Sequence, residues 1–457
     1  MPDTENDARP CSDPAASHSA VADRKNTGRS VRLPLTHFSM RSLFLLPGAV
    51  LLSSCMLGPD PSSPEVAVPA SFRSDTAPHG PSFGDRSWRK VFSDPTLRNL
   101  ISRALQNNPD LVAATYRIEE ARALADVSRA SWFPRVDGGA GASADYRSRN
   151  SGGTGRRSSE SYNLTGLLSW ELDLWGGIAR DNQAARSRLL QSEFQRDAVQ
   201  TSLIASVVTC YIDLQNLDER LAIAKRTADS RRGSLDLVTA RRDGGVSSDL
   251  ELGQANALQS QAQVLIPTTE RAITEKENEL RSLLGEYPGG ISRNGGLNRL
   301  DSSFRIAGGL PSSLLARRPD IAAADQAFQA ATADIGVQEA LRLPTLSLTG
   351  SGGLASRHLG QLLQGRSAAF SIGPQLNGPL FDAGAGTARV KAAQARAKVA
   401  MTDYQKAVQQ GFREVADALN AYQKTGEIIA EGTRLLNAQK SVSGIALERF
   451  RRHSSVR

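Results

Sequence analysis

One long helical stretch, Gly177 to Arg242, limits what this chain can fold into more than any other feature. Its apolar side chains recur at alternating steps of four and three residues, with a single step of seven: Leu203, Val207, Cys210, Leu214, Leu217, Leu221, Ala224, Ala228, Leu235 and Val238. This heptad spacing predicts a coiled coil. At 1.5 Å per residue the helix is roughly 100 Å long, which is far longer than an ordinary domain is wide.

The composition excludes several function classes. Aromatic residues make up only 5% of the 457 residues, which suits long helices better than a thick core. The net charge of +8 is spread along the chain in isolated pairs, so no basic run indicates a nucleic-acid partner. The three cysteines form no CxxC motif, and the five histidines are scattered. We therefore predict no metal site, no cofactor and no catalytic centre.

The beginning of the chain reads as a targeting region. Residues 1–39 are polar and without periodicity, which indicates a disordered or misassigned extension and makes Met40 the suspected start. Residues 40–54 have one basic residue and a short apolar run, as in a secretory signal. The end of that run, Leu52 to Cys55, resembles a bacterial lipobox, which implies a covalent lipid on Cys55. The Pro-rich residues 55–93 then predict an extended segment.

A strand of unusual length precedes the long helix. Over residues 162–174 apolar and polar residues alternate with period two, whereas a strand of a soluble sheet has about five or six residues. A tilted strand that crosses a bilayer needs about 9–11 residues. We predict that one face of this strand meets lipid, with contacts from Tyr162, Leu164, Leu168, Trp170 and Leu172.

The chain then repeats itself. The spacing between Pro134 and Pro344 is 210 residues, and a segment with the alternation of a β-strand follows both prolines. The first predicted repeat, 94–309, contains a helix that breaks near Asn108, strands 134–146 and 161–174, and a helical hairpin 177–285. The second repeat, 310–457, contains strands 344–352 and 368–380 and a long helix 386–452. Its helix carries a second heptad seam: Phe412, Val415, Leu419, Tyr422, Ile429, Leu436, Leu447 and Phe450.

Four such strands cannot stay alone in a membrane, because open sheet edges are not viable in hydrocarbon. A closed barrel of membrane type needs at least eight strands. The predicted fold class is therefore α plus membrane β. In this fold long antiparallel coiled-coil helices form a periplasmic α-barrel, and four transmembrane β-strands per chain contribute to a trimeric 12-stranded β-barrel.

Seven short motifs along the chain together resemble those of a known protein family. They are Gly58-Pro59-Asp60 after Cys55, Phe92-Ser93-Asp94-Pro95, Asn108-Pro109-Asp110, Ala130-Ser131-Trp132-Phe133-Pro134, Ser169 to Gly176, Arg317-Arg318-Pro319-Asp320 and Phe381-Asp382-Ala383-Gly384. From Leu52 to Arg452 the chain resembles the TolC-type outer-membrane factors, in particular the NodT branch of efflux lipoproteins.

The resemblance implies a homotrimeric duct in the bacterial outer membrane that extends into the periplasm. Such a duct receives substrate from an inner-membrane efflux pump through a periplasmic adaptor protein, and its outer-membrane lipid anchor is on Cys55. It implies no catalytic chemistry. It also implies that the adaptor docks at the hairpin tip, where this chain has Arg241, Gly244, Gly245, Ser248, Leu250 and Glu251; a plain helical turn with caps is the alternative for these residues.

The chain departs from the family pattern at its end. The second long helix should turn at a tip after Phe450 and return, but the sequence stops within seven residues. We therefore expect the last helix to be missing, as a frameshift or premature stop would produce. The alternatives for the whole chain are a periplasmic coiled-coil adaptor, a structural lipoprotein of a secretion system, or a non-functional truncated copy. The strand over 162–174 argues against an adaptor, which has no use for a lipid-facing stripe.

Overall fold

The architecture comes from a computed structural model that describes residues 56–69, 86–148, 150, 158–293, 296 and 313–454. The helices are α1 (Trp88–Val91), α2 (Pro95–Asn107), α3 (Pro109–Ala130), α4 (Gly177–Asp243), α5 (Asp249–Leu283), α6 (Ser313–Arg317), α7 (Pro319–Ala340) and α8 (Ala385–Ser454). The strands are β1 (Arg135–Tyr146), β2 (Ser158–Leu172), β3 (Thr345–Ser356) and β4 (Ala368–Asn377). The predicted extension, the signal and Cys55 lie outside the described residues.

Short polar residues followed by proline start the helices of the first repeat. The Asp94 carboxylate accepts the backbone N–H of Thr96 at 2.8 Å, with Pro95 in the first helical position of α2. The Asn108 side chain does the same for α3, accepting the N–H groups of Asp110 and Leu111. These caps satisfy donors that a helix leaves without partners, so the break near Asn108 is a junction between two capped helices.

The main core lies where α2, α4 and α5 meet. Leu97, Ile101, Tyr211, Leu214 and Leu280 are fully buried there. The Tyr211 hydroxyl donates to the Asp94 carboxylate at 2.7 Å, and burial raises the pKa of Tyr211 to about 12. All ten predicted seam residues of α4 are buried or half-buried, because α2 and α5 pack on this part of the helix.

The second repeat has a smaller core between α7 and α8, built around Ile321, Tyr404 and Val408. Arg318 joins the two helices through ion pairs of 2.7 Å with both Asp320 and Glu414. The α8 seam is covered as far as Leu419, but Tyr422, Ile429 and Leu436 are exposed. The reason is length: α8 has 70 residues and extends far beyond α7, which has 22.

The four strands form one antiparallel sheet in the order β1-β2-β3-β4. β2 starts three residues earlier than predicted and β3 continues to Ser356, so the two loops between the strands are shorter than we expected. β4 ends at Asn377 instead of residue 380. In an antiparallel hairpin each strand continues as long as its partner supplies hydrogen bonds, and local composition does not reveal that limit.

Candidate functional site

The sheet has one apolar and one polar face, and the strand register carries each face across all four strands. Val136 lies opposite Leu168, Leu168 lies opposite Gly350, and Gly350 lies opposite Ile372. In every pair the two residue numbers are both even or both odd, so the side chains of even-numbered residues share one face and those of odd-numbered residues share the other. That face carries Val136, Ala140, Tyr162, Leu164, Leu168, Trp170, Leu172, Leu346, Leu348, Leu354, Phe370, Ile372 and Leu376.

The opposite face is polar. Its odd-numbered residues include Arg135, Asp137, Asn163, Thr165, Ser169, Glu171, Ser347, Thr349, Ser351, Ser371, Gln375 and Asn377. Leu167 is the large apolar residue out of pattern. A sheet that is apolar on one side and polar on the other over strands of 10–15 residues has the form expected of a wall between lipid and water.

The five residues predicted to face lipid all lie on the apolar face. Trp170 is also held in place at its polar end, since its indole N–H donates to the Trp132 carbonyl at 3.0 Å. The indole of Trp175 donates to the Pro344 carbonyl at 2.7 Å and joins the two repeats where strands become helices. Amphipathic indoles in such positions are typical of membrane-water boundaries.

Two consecutive capping motifs build the hairpin tip between α4 and α5. α4 ends in a Schellman motif, in which Gly245 N–H donates to Arg242 O at 2.9 Å and Val246 N–H to Arg241 O at 2.8 Å. Gly245 has a φ of +73°, a left-handed conformation that glycine adopts without strain. Ser248 and Glu251 then form a reciprocal capping box at the start of α5. The tip is therefore a rigid turn.

The tip presents two apolar side chains to solvent. Val246 is 69% exposed and Leu250 is 71% exposed. The Glu251 carboxylate accepts the Ser247 hydroxyl and the Ser248 N–H, and these hydrogen bonds lower its pKa. The six predicted tip residues lie together in space, whereas sequence reasoning did not select Val246. Val246 could have been found from the sequence by its position two residues after the first tip glycine, where a Schellman motif commonly has an apolar residue.

Sequence reasoning also missed Arg180, which is 1% exposed at the start of α4. Its guanidinium donates to the carbonyls of Leu57 and Gly58 and forms an ion pair with Asp60. The available signal was its charge, since a cation in the first turn opposes the helix dipole. Asp173 lies nearby and accepts the N–H groups at the α4 terminus.

In the part of the chain that the structure describes, no helix is long and apolar enough to cross a membrane.

Long helices, a two-faced membrane-type sheet and a rigid hairpin tip define a channel protein of the outer membrane. The family model for "Outer membrane efflux protein" matches residues 100–286 and 310–451. The chain belongs to this family and is an outer-membrane component of bacterial efflux.

Known relatives agree with this assignment. The chain is 33% identical over 411 residues to the solvent efflux pump outer membrane protein SrpC of Pseudomonas putida, covering 88% of this chain and 87% of SrpC. It is also 33% identical over 393 residues to the pyoverdine export outer membrane protein OpmQ of the same species, covering 84% and 82% of the two chains.

Solved structures agree as well. The open state of the MtrE outer membrane channel of Neisseria gonorrhoeae matches with a TM-score of 0.73 at 30% identity, covering 82% of this chain and 83% of that one. The fold class predicted from the sequence, a periplasmic helical barrel joined to a membrane β-barrel of trimeric channels, is confirmed by this likeness.

Proposed function

We propose that three copies of this chain form a duct that receives substrates from an inner-membrane pump through a periplasmic adaptor and releases them outside the cell. The duct carries no catalytic step. The observation that supports it most is the sheet, which has a continuous apolar face and no strand partner for the outer edges of β1 and β4 among the described residues. Two copies would give a barrel of eight strands, and side chains fill the interior of a barrel of that size. Three copies would give twelve strands and leave an open lumen.

The internal duplication supports a specific contact between copies. Val136 pairs with Leu168, and Leu346 pairs with Leu376. β3 therefore repeats β1 at a spacing of 210 residues (346 − 136), and β4 repeats β2 at a spacing of 208 (376 − 168). The pairing of β2 with β3 inside one chain is then the template for the pairing of β4 with β1 of the next copy.

This template predicts the register between copies. Leu168 lies opposite Gly350 inside the chain, so Leu376 should lie opposite Ala140 of the next copy. Leu172 lies opposite Leu346, so Leu380 should lie opposite Val136. Even-numbered residues of one copy again pair with even-numbered residues of the next, which continues the apolar face around the barrel. Leu380 and Val136 are both strongly exposed in the single chain, and this pairing would cover them.

A disulfide test addresses the register directly. In a Cys210→Ser background, Leu376→Cys combined with Ala140→Cys should give oxidised trimers on denaturing gels, because directly opposed Cβ atoms lie about 4.5–5.5 Å apart. The matched control combines Leu376→Cys with Ala144→Cys, which lies roughly 13 Å further along the strand. Equal cross-linking of the two pairs, or cross-linking of neither, would contradict the proposed interface.

The hairpin tip is proposed as the docking surface for the adaptor. Arg241, Gly244, Gly245, Ser248, Leu250 and Glu251 match the tip pattern of the family, and the geometry adds Val246. A rigid turn that exposes two apolar side chains loses little conformational entropy on binding. Such exposed apolar residues contribute to binding once a partner removes them from water.

Replacing Leu250 with aspartate should weaken adaptor binding by roughly thirty-fold, or about 2 kcal/mol, as for an interface hot spot. Heat-resistant trimers should persist, because Leu250 makes no core contact in the single chain. The measurement is photo-cross-linking from benzoylphenylalanine at position 246, with mass spectrometry of the captured protein. Leu250→Met is the control, since it keeps the apolar surface. Unchanged cross-linking of Leu250→Asp would rule out this docking surface.

The lipid anchor and the cargo have different support. Lipidation of Cys55 is proposed on the lipobox, and mass spectrometry of the N-terminal peptide tests it. The relatives are named for solvents and for pyoverdine, which are chemically unlike each other. We infer that the duct itself accepts varied cargo and that the pump selects it.

A further inference from the structure

The segment that follows Cys55 runs along α7 as a strap, here defined as residues 56–66. Leu57 and Gly58 lie against Gly336, Ser63 donates to Asp325 at 2.9 Å, and Val66 packs on the cluster around Ile321. Gly336 and Asp325 are eleven residues apart on the helix (336 − 325), which is roughly 16 Å. The five residues from Gly58 to Ser63 span the same roughly 16 Å only when fully extended.

The strap begins where strands become helices. The backbone N–H of Leu57 donates to the Trp175 carbonyl at 3.2 Å. Trp175 lies between the end of β2 and the start of α4, and its own indole N–H donates to the Pro344 carbonyl. The first described residue of the strap, Met56, is therefore at the boundary between the membrane sheet and the helical body. Cys55 is the next residue toward the N-terminus.

Arg180 holds this end of the strap. Its Nε donates to the Leu57 carbonyl at 2.9 Å, and its Nη2 donates to the Gly58 carbonyl and to the Asp60 carboxylate, both at 2.9 Å. A buried guanidinium is costly unless its donors are satisfied. Here the guanidinium donors of Arg180 bond mainly to strap residues, with one further hydrogen bond to Gln183 on its own helix.

Glycines make the close approach possible. A Cβ on Gly58, which has a φ of +82°, would lie 2.5 Å from the Cα of Gly336. A Cβ on Gly176, which has a φ of +73°, would lie 2.8 Å from the Cα of Met56. No side chain fits at either contact. We call Gly58, Gly176, Arg180 and Gly336 the N-terminal clasp.

The two helices that the clasp touches are also joined elsewhere. Arg188 lies two turns further along α4 and already forms an ion pair with Asp334 of α7. Arg180 in contrast makes its contacts to the strap, although its charge opposes the dipole at this helix end. The contacts of Arg180 are those of a residue that positions the strap.

We propose that the N-terminal clasp fixes the lipid anchor at the boundary between sheet and helices, and that this placement assists assembly of the sheet in the membrane. Arg180 is the positioning residue, and the occupant is the acylated segment beginning at Cys55. The inference rests on the proposed lipidation of Cys55. An anchor held within one residue of the boundary keeps the apolar face level with the bilayer, whereas an anchor on a loose strap permits displacement by many ångströms.

The experiment uses the full chain in outer membranes, made with lipid and, as Cys55→Ser behind an ordinary signal peptide, without lipid. Arg180→Gln removes the guanidinium group that binds the strap. Gly58→Ala disturbs the strap side of the clasp and leaves both helices unchanged, so it remains informative if Arg180→Gln fails to fold. Arg188→Gln is the matched control on the same two helices. Two quantities are measured: release by Glu-C protease of the peptide ending at Glu65, and the yield of heat-resistant oligomer.

We expect Arg180→Gln to accelerate peptide release about tenfold, as the loss of one charge-assisted hydrogen bond would. Gly58→Ala should accelerate release to a similar extent, because its Cβ would collide with the backbone of Gly336. Arg188→Gln should stay within about twofold of the parent chain. Oligomer yield should fall in both clasp variants when lipid is present and change little when it is absent, because an anchor that does not exist cannot be misplaced.

Any other combination overturns the inference. Equal release from Arg180→Gln and Arg188→Gln would show that the clasp does not hold the strap. An equal loss of oligomer with and without lipid, or no loss in either form, would show that Arg180 only stabilises the fold. Mass spectrometry of the parent chain separates this from failure of the proposed function, since an unmodified Cys55 would remove the lipid anchor whatever the release rates.

Discussion

Replacing Leu168 with arginine should destabilise the membrane-inserted sheet, because an arginine on the lipid face costs up to about 2–4 kcal/mol at mid-bilayer depth and less toward the interface. Leu168 lies in the second half of β2, between Val136 of β1 and Gly350 of β3. An arginine there would place its charge in hydrocarbon with no acidic side chain opposite it in either neighbouring strand. The measurement is the free energy of folding into vesicles, followed by the heat-resistant oligomer yield in outer membranes.

The neighbouring residue supplies the control. Ser169 lies on the polar face, opposite Arg135 and Thr349, so Ser169→Arg should change the folding free energy by much less than Leu168→Arg. The two variants have the same charge and neighbouring positions on β2 but differ in which face carries the side chain. Repulsion between Arg135 and the new arginine at 169 adds at most about 1 kcal/mol to the control. Equal effects would contradict the assignment of the two faces.

Replacing Leu214 with alanine should destabilise the helical body by about 2–5 kcal/mol. Leu214 is fully buried on the α4 seam, in the cluster with Ile101, Tyr211 and Leu280. Three helices enclose the site, so the surroundings cannot easily collapse into the cavity. Denaturant unfolding of purified protein, followed by circular dichroism at the helix band, measures the loss.

Leu214→Met controls for that effect. It conserves volume, and such substitutions usually cost less than about 1.5 kcal/mol. If alanine and methionine destabilise the protein equally, the seam is not a packed core at this position. If neither has an effect, the heptad spacing describes only a surface stripe.

Much of the fold could be predicted because its signals are local in sequence. The alternation over Tyr162–Leu172 follows from the period of a strand, and the seam of α4 follows from the period of a helix. The caps at Asp94 and Asn108 are likewise local, since each side chain bonds to N–H groups two or three residues away. The hairpin tip could be found for the same reason.

Other features could not be predicted because they depend on residues far apart in sequence. The side chain of Arg180 binds carbonyls at positions 57 and 58, more than 120 residues earlier. The strand ends depend on which partner supplies hydrogen bonds, so β3 continues to Ser356 and β4 stops at Asn377. The exposure of Tyr422 and Ile429 depends on where α7 ends relative to α8.

The sequence by itself determined the class of structure, because periodicity decides which side chains share a face before any contact forms. It thereby determined two faces on each strand, a seam on each long helix and the duplication that relates the halves. Only the tertiary structure decided the register that joins the four strands into a single wall, because pairing is a relation between distant segments. It also decided that the strap, residues 56–66, is held where the strands become helices, since that contact requires Gly58, Arg180 and Gly336 to meet.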